Sequence, residues 1–174
     1  MKTRQLFLKC TIIMILLAAA GCGYRLAGRD NPLLGGINTI AIPYFKNETF
    51  EAGAESVFTR AFADQFIQSK RLQVVSVDRA EVILRGTIKT IREEIISYNK
   101  NDKAMEYRVY VTLDLALEKR ETGEVLWKRK RLRHNEEYQV SNDIMVTETG
   151  KNVALEKVAK DLAKRVEESI IQGF

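Results

Sequence analysis

The sequence predicts an α+β fold. The expected form is a two-layer sandwich: a mostly antiparallel sheet of four to five strands, a long hairpin, and two helices packed on one face. Three observations carry this. Residues 105–118 alternate apolar and polar side chains without a break, the period of a half-buried strand. Segments near 51–69 and 149–172 instead repeat apolar residues every three to four positions, the period of an amphipathic helix. The segments run in the order β, α, β, then a β-meander, then α, which sets the helices apart from the long strands.

Composition narrows the class. The chain has 174 residues, 45% of them hydrophobic, which suits one folded domain and excludes wholesale disorder. Two Cys cannot make a disulfide-rich scaffold or a Cys-based zinc site, and one His leaves little room for His-centred chemistry.

The N-terminus reads as a targeting segment. Lys2, Arg4 and Lys9 precede an apolar run from Cys10 to Ala20 that ends at Gly21-Cys22. A basic start, a short apolar core and a small-residue end make a secretory signal. The run is too short to span a bilayer, which takes about 20 apolar residues. Ala19-Ala20-Gly21-Cys22 resembles the lipobox of bacterial lipoproteins, with Ala19 where Leu is usual. Cys22 is then the lipidation site, carrying an S-diacylglycerol and an N-acyl chain such as palmitate, enough acyl chains for stable anchoring. The expected organisation is a signal peptide over 1–21, a lipid-anchored tether over 22–36 and a single α+β domain over 37–174. Without the signal, 25 basic residues face 23 acidic ones, so no nucleic-acid partner is expected. Gly23 lacks the Asp that retains lipoproteins at the inner membrane of Gram-negative cells. The expected location is therefore the periplasmic side of the outer membrane.

Within the domain, Ile37–Pro43 is rich in β-branched residues and reads as a strand. Phe58, Phe62 and Phe66 recur at spacing four and form the core stripe of the first helix. Leu72–Val77 reads as a strand and Asp78–Ala80 as a turn. Val82, Leu84, Gly86 and Ile88 then alternate, but Ile91 and Ile95 fall on the other parity, which suggests a β-bulge near Lys89–Ile91. Asn99–Lys103 is a wholly polar hairpin tip. The return strand spans some 40–45 Å at about 3.3 Å per residue. Glu121–Gly123 turns into a strand over 124–137 that carries Lys128–Arg131 and Arg133. Leu155, Val158, Leu162, Val166 and Ile170 form the stripe of the closing helix, with Gly173 as its stop.

No catalytic set emerges, and no metal site or cofactor is expected. His134 lies in a basic run and reads as a surface strand residue. Glu93-Glu94 and Glu136-Glu137 are strand neighbours whose side chains point to opposite faces. What remains is binding. The hairpin tip offers Lys100 and Lys103. The basic strand offers Lys128 and Lys130, expected to neighbour Arg85, Lys89, Arg92 and Arg108 if the meander pairs in order. Such a cluster suits phosphate groups of lipopolysaccharide.

CGYRLAG at the lipidation site resembles the opening of the LPS-assembly lipoproteins of the LptE family. INTIAIPYFKNET, LQVV, AEVILRGTI, EYRVYVTLDL and TGEVLW resemble that family's segments in the same order. The resemblance implies a lipoprotein that plugs and assists assembly of the LptD β-barrel and takes part in lipopolysaccharide transport, with no cofactor and no reaction of its own. The alternative is a lipoprotein activator of a penicillin-binding protein, which shares the strand, Asn-x-Thr and helix pattern. Such activators use a long linker, whereas Cys22 to Ile37 reaches at most about 50 Å.

Overall fold

A computed structural model describes residues 35–173. The signal segment, Cys22 and most of the tether lie outside the described residues. Six strands and two helices follow in order: β1 (Thr39–Ala41), β2 (Lys46–Asn47), α1 (Ala54–Ser69), β3 (Gln73–Val74), a 3₁₀ turn (Val77–Arg79), β4 (Val82–Tyr98), β5 (Ala104–Lys119), β6 (Val125–Gln139) and α2 (Ile144–Gln172). The sheet order is β3-β1-β4-β5-β6, with β2 pairing β4 beyond β1. The long strands are antiparallel, and the short β1, β2 and β3 pair in parallel. The α+β class with two helices and an open sheet is therefore as the sequence indicates. The parallel pairings follow from α1, a crossover that returns the chain to the same edge of the sheet.

One face of the sheet meets both helices. Leu84 and Ile88 of β4, five consecutive alternate residues of β5 (Val109 to Leu117), Trp127 and Tyr138 of β6, and the stripes of both helices form one buried cluster. The three phenylalanines of α1 are completely buried in it. Thr59, on the next turn, returns a hydrogen bond to the Glu55 carbonyl and accepts the Phe45 N–H at 3.0 Å, locking β2's approach to the helix. Gly53 opens α1 at φ 83°, a left-handed conformation that glycine adopts without a Cβ penalty.

The phase shift read from the sequence is a β-bulge: the β4–β5 register slips between Ile88 and Thr90. It leaves Ile91 opposite Val111 and restores the apolar face beyond the slip. A second slip lies in β6 opposite Asp114, where Arg131 sits at φ 54° and donates its N–H to Asp114 Oδ1 at 2.7 Å. That one is not visible as a period change, because the segment is charged on both sides of it.

The closing helix starts earlier than its stripe suggests, at Ile144. Asp143 caps it by accepting the Met145 N–H at 2.8 Å, and Gly173 ends it at φ 77°. Residues 144–149 extend past the core, so they carry no amphipathic pattern; the Asp143 cap was the available signal. No helix among the described residues is long and apolar enough to cross a membrane.

Candidate functional site

The domain is long, and its two ends differ. Chain entry is at the end where Ile40 pairs with Val82; the hairpin tip lies at the other end of β4. At about 3.3 Å per residue the two are roughly 50 Å apart. The tip is built rather than loose. Asn99 Oδ1 accepts the N–H groups of Asn101 (2.9 Å) and Lys103 (3.1 Å), and the Asn99 N–H donates to the Lys103 carbonyl. Lys100 and Lys103 are displayed on it, both exposed.

Just behind the tip the surface is apolar. Ile95 (40%), Tyr98 (60%) and Met105 (45%) are exposed on the hairpin. The Val140 N–H bonds the Met105 carbonyl, which brings the start of α2 to the same end, with Ile144 (78%), Met145 (79%) and Val146 (55%) uncovered. This end of the domain therefore exposes six large apolar side chains and two lysines. Sequence reasoning found the lysines and missed the apolar half, because it placed 144–148 outside the helix.

The sheet face away from the helices carries the other basic residues. β5 lies between β4 and β6, so the expected cluster is divided into rows. Arg85 and Lys128 share one row across Ala116, about 10 Å apart at the usual strand spacing. Arg92 shares another with Tyr110 and Asn135. Three of the candidates are already paired: Arg85 with Glu118 at 3.0 Å, Lys89 with Glu48, and Arg108 with Glu137. The hydroxyl of Tyr110 and the carboxylate of Glu137 hold the Arg108 guanidinium above its ordinary range. Hydrogen bonds from Lys46 and Lys89 lower Glu48 to about 2. Arg92, Lys100, Lys103, Lys128 and Lys130 make no ion pair with another described residue. Of the eight candidates, these five are not already held by an acid. Cys22 lies outside the described residues.

His134 departs from the surface reading. It points toward α2, is half-buried, and sits 3.1 Å from Asp161 Oδ2. With Glu136 these residues place three donor atoms within 4.8 Å, a grouping the sequence does not show because Asp161 comes from the helix. Each donor already has a protein partner, since Glu136 holds Lys157 at 2.8 Å and His134 and Asp161 face each other. The group joins β6 to α2. The adjacent pairs diverge as strand geometry requires: Glu136 faces Lys157 of the helix, and Glu137 faces Arg108 on the opposite side. Glu136 and Glu137 therefore do not converge on a common point.

The fold recurs in solved structures. Rare lipoprotein B from Shewanella oneidensis superposes with a TM-score of 0.53 at 12% identity, covering 74% of this chain and 94% of that one. A minor lipoprotein from Acinetobacter baumannii gives 0.52 at 15%, covering 79% and 93%. A PelC dodecamer from Paraburkholderia phytofirmans gives 0.50 at 15%, covering 78% and 89%. At these identities the likeness is one of fold, and a fold alone does not fix a function. Comparison with curated proteins gives no match. The deciding observation is a family model, described as LptE, lipopolysaccharide-assembly, which matches residues 37–170. The chain belongs to the LptE family. LptE proteins are accessory lipoproteins of lipopolysaccharide assembly rather than enzymes. The match also covers both long strands of the hairpin and nearly all of α2, so the built tip and its apolar flank lie inside the family's own span.

Proposed function

We propose that this LptE-family chain is an outer-membrane lipoprotein, cleaved after Gly21 and acylated at Cys22, that plugs an LptD-type β-barrel and handles lipopolysaccharide with the far end of its hairpin. The observation that carries the reading is that end of the domain, which exposes Lys100 and Lys103 on a hydrogen-bonded tip and also six large apolar side chains. Lipopolysaccharide carries both phosphates and acyl chains, and this end of the domain exposes both cations and apolar side chains. The position also fits a tethered protein, since the tip is the part of the domain farthest from chain entry. A barrel lumen is polar, which suits the charged outer face of the sheet.

The decisive experiment is to purify the full-length protein from detergent-solubilised outer membranes and identify what stays with it. A stoichiometric large β-barrel is the expected result. A penicillin-binding protein in its place, with no barrel, would overturn the reading in favour of an activator of peptidoglycan synthesis.

Two variants test the parts. Lys100→Glu with Lys103→Glu is expected to weaken lipopolysaccharide binding at least tenfold, about 1.4 kcal/mol, since each charge-assisted contact contributes that order. The melting temperature should not move, because both side chains are exposed. Reversal at Lys128 and Lys130 examines the edge strand separately. If only that second pair matters, the ligand lies along β6 and the tip assignment is wrong. Cys22→Ala should leave a folded domain that is lost from the outer-membrane fraction. Retention in the outer-membrane fraction would show that acyl chains are not what holds it.

A further inference from the structure

The loop between β2 and α1 holds a phenylalanine wholly in solvent, although the loop itself is tightly fixed. Asn47 ties it from within. Its Nδ2 donates to the Glu51 carbonyl (2.8 Å) and to Glu55 Oε2 (2.9 Å), and its Oδ1 accepts the Thr49 N–H (2.9 Å) and hydroxyl (2.8 Å). The Glu48 N–H bonds the Ile88 carbonyl of β4 at 3.0 Å, and Glu51 meets Lys151 at 2.6 Å. Between these anchored residues Phe50 is fully exposed at 108%. A floppy loop could expose an aromatic ring by averaging; this one has its polar groups bonded on both sides of it.

Phe50 lines an open groove against the bulged stretch of β4, together with Lys89, Thr90 and Arg92. The other charges around the groove are matched: Glu48 with Lys46 and Lys89, and Glu51 and Glu93 with Lys151. Arg92 alone among the groove's charged residues has no ion-pair partner in the described residues. The surface thus presents one aromatic ring on a fixed loop and one uncompensated guanidinium, two side-chain types enriched in protein interfaces.

We infer that Phe50 and Arg92 form a preorganised docking point for a protein partner whose surface offers an apolar pocket with a carboxylate at its rim. The uncompensated charge of Arg92 selects the acid, and the ring selects the pocket. A fixed loop spends little conformational freedom on binding, which is the advantage of building an anchor in advance. The position argues against a lipid surface as the occupant. The bulge lies midway along β4, about 25 Å from either end of the sheet at 3.3 Å per residue. A partner that flanks the domain reaches it, whereas a bilayer approached by either end does not. The inference goes beyond the lipopolysaccharide reading and does not depend on the hairpin tip.

The test places a benzophenone side chain at position 50 of the full-length protein in intact cells and maps the photo-adduct by mass spectrometry. The expected product is a single protein adduct on a peptide with an Asp or Glu next to apolar residues. Arg92→Glu should reduce its yield at least tenfold, Arg92→Lys should retain most of it, and reversing the partner's acid to Lys should restore it in Arg92→Glu. Phe50→Ser should weaken co-purification with that partner about tenfold without shifting the melting curve. No adduct, an adduct to lipid only, or a yield indifferent to Arg92→Glu would overturn the inference. Co-purification of a barrel, scored in the same cells, separates the two readings. A barrel with no adduct at position 50 removes the docking point and leaves the proposed function standing. A charge-swapping adduct with no barrel does the reverse.

Discussion

Gly86→Val is expected to be among the most damaging single substitutions in the domain. Gly86 lies on the helix-facing side of β4, opposite Leu115, and the ring of Phe45 packs directly over it. A Cβ built there would sit 2.5 Å from Phe45 Cδ2 and 2.6 Å from Cζ, inside any permitted contact. The ring cannot swing away cheaply. Its backbone N–H is held by Thr59, its face packs at 4.9 Å from the Phe62 ring, and Phe45 is 3% exposed. Overpacking of this kind costs typically 1–3 kcal/mol, so alanine should lose about 2 kcal/mol and valine at least about 3. For a domain of this size that lowers the melting temperature by roughly 4–8 °C for alanine and more for valine. Pairing Gly86→Ala with Phe45→Leu should recover part of the loss, since the two residues share one space. Thermal melts followed by circular dichroism read all three. An unchanged melt for Gly86→Ala would mean that Phe45 does not occupy that space in solution.

That contact shows where sequence reading stops. Alternation alone put Gly86 on the apolar face of its strand, and it put the bulge at Lys89–Ile91, where the register does slip. Period is a local property, and the hairpin is made of local pairings, so both strands and the tip were legible. The reason for a glycine was not, because Phe45 is 41 positions away and arrives through β2, a strand of two residues with no period to detect. The same limit applies to the parallel pairings of β1, β2 and β3, which depend on where α1 returns the chain. It applies to the surface as well. Counting cations gave eight candidates on the sheet and tip. Only the register shows that Arg85, Lys89 and Arg108 each face an acid, and which cations remain for a ligand. The apolar flank of the tip was hidden by an exposed helix start.

Lys151→Met should give the second large effect, and its pH dependence identifies the cause. Lys151 is the centre of a charged knot under the sheet. Its side chain is 13% exposed, and Nζ lies 2.6 Å from Glu51 Oε2 and 2.8 Å from Glu93 Oε1. Glu93 in turn accepts the Tyr138 hydroxyl. The knot joins the loop before α1, strands β4 and β6, and helix α2, four pieces otherwise distant in sequence. Burial pulls the Lys151 ammonium down, but its bonds to Glu51 and Glu93 outweigh that and hold it above its ordinary value. Burial likewise pushes Glu93 up, and Lys151 and Tyr138 bring it below the usual carboxylate range. Burial and the neighbouring carboxylate raise the Tyr138 hydroxyl. Methionine keeps the stem's packing and removes the charge, leaving two carboxylates close together and poorly solvated. Breaking a buried pair costs 3–5 kcal/mol; with Glu93's side chain 31% exposed, about 2 kcal/mol is expected here. The sign follows from the shifts. A lowered Glu93 contributes stability above its unfolded value near 4.5, lost as pH falls through the lower folded value; a raised Lys151 contributes below 10.5, lost only as pH rises past its folded value. The gap between the two proteins should therefore be widest from about pH 6 to 9 and narrow below about pH 4, because protonated carboxylates no longer need the lysine. Urea titrations at pH 7 and pH 3.5 measure it. A gap of equal size at both would mean that the lysine's packing, and not its charge, holds the knot.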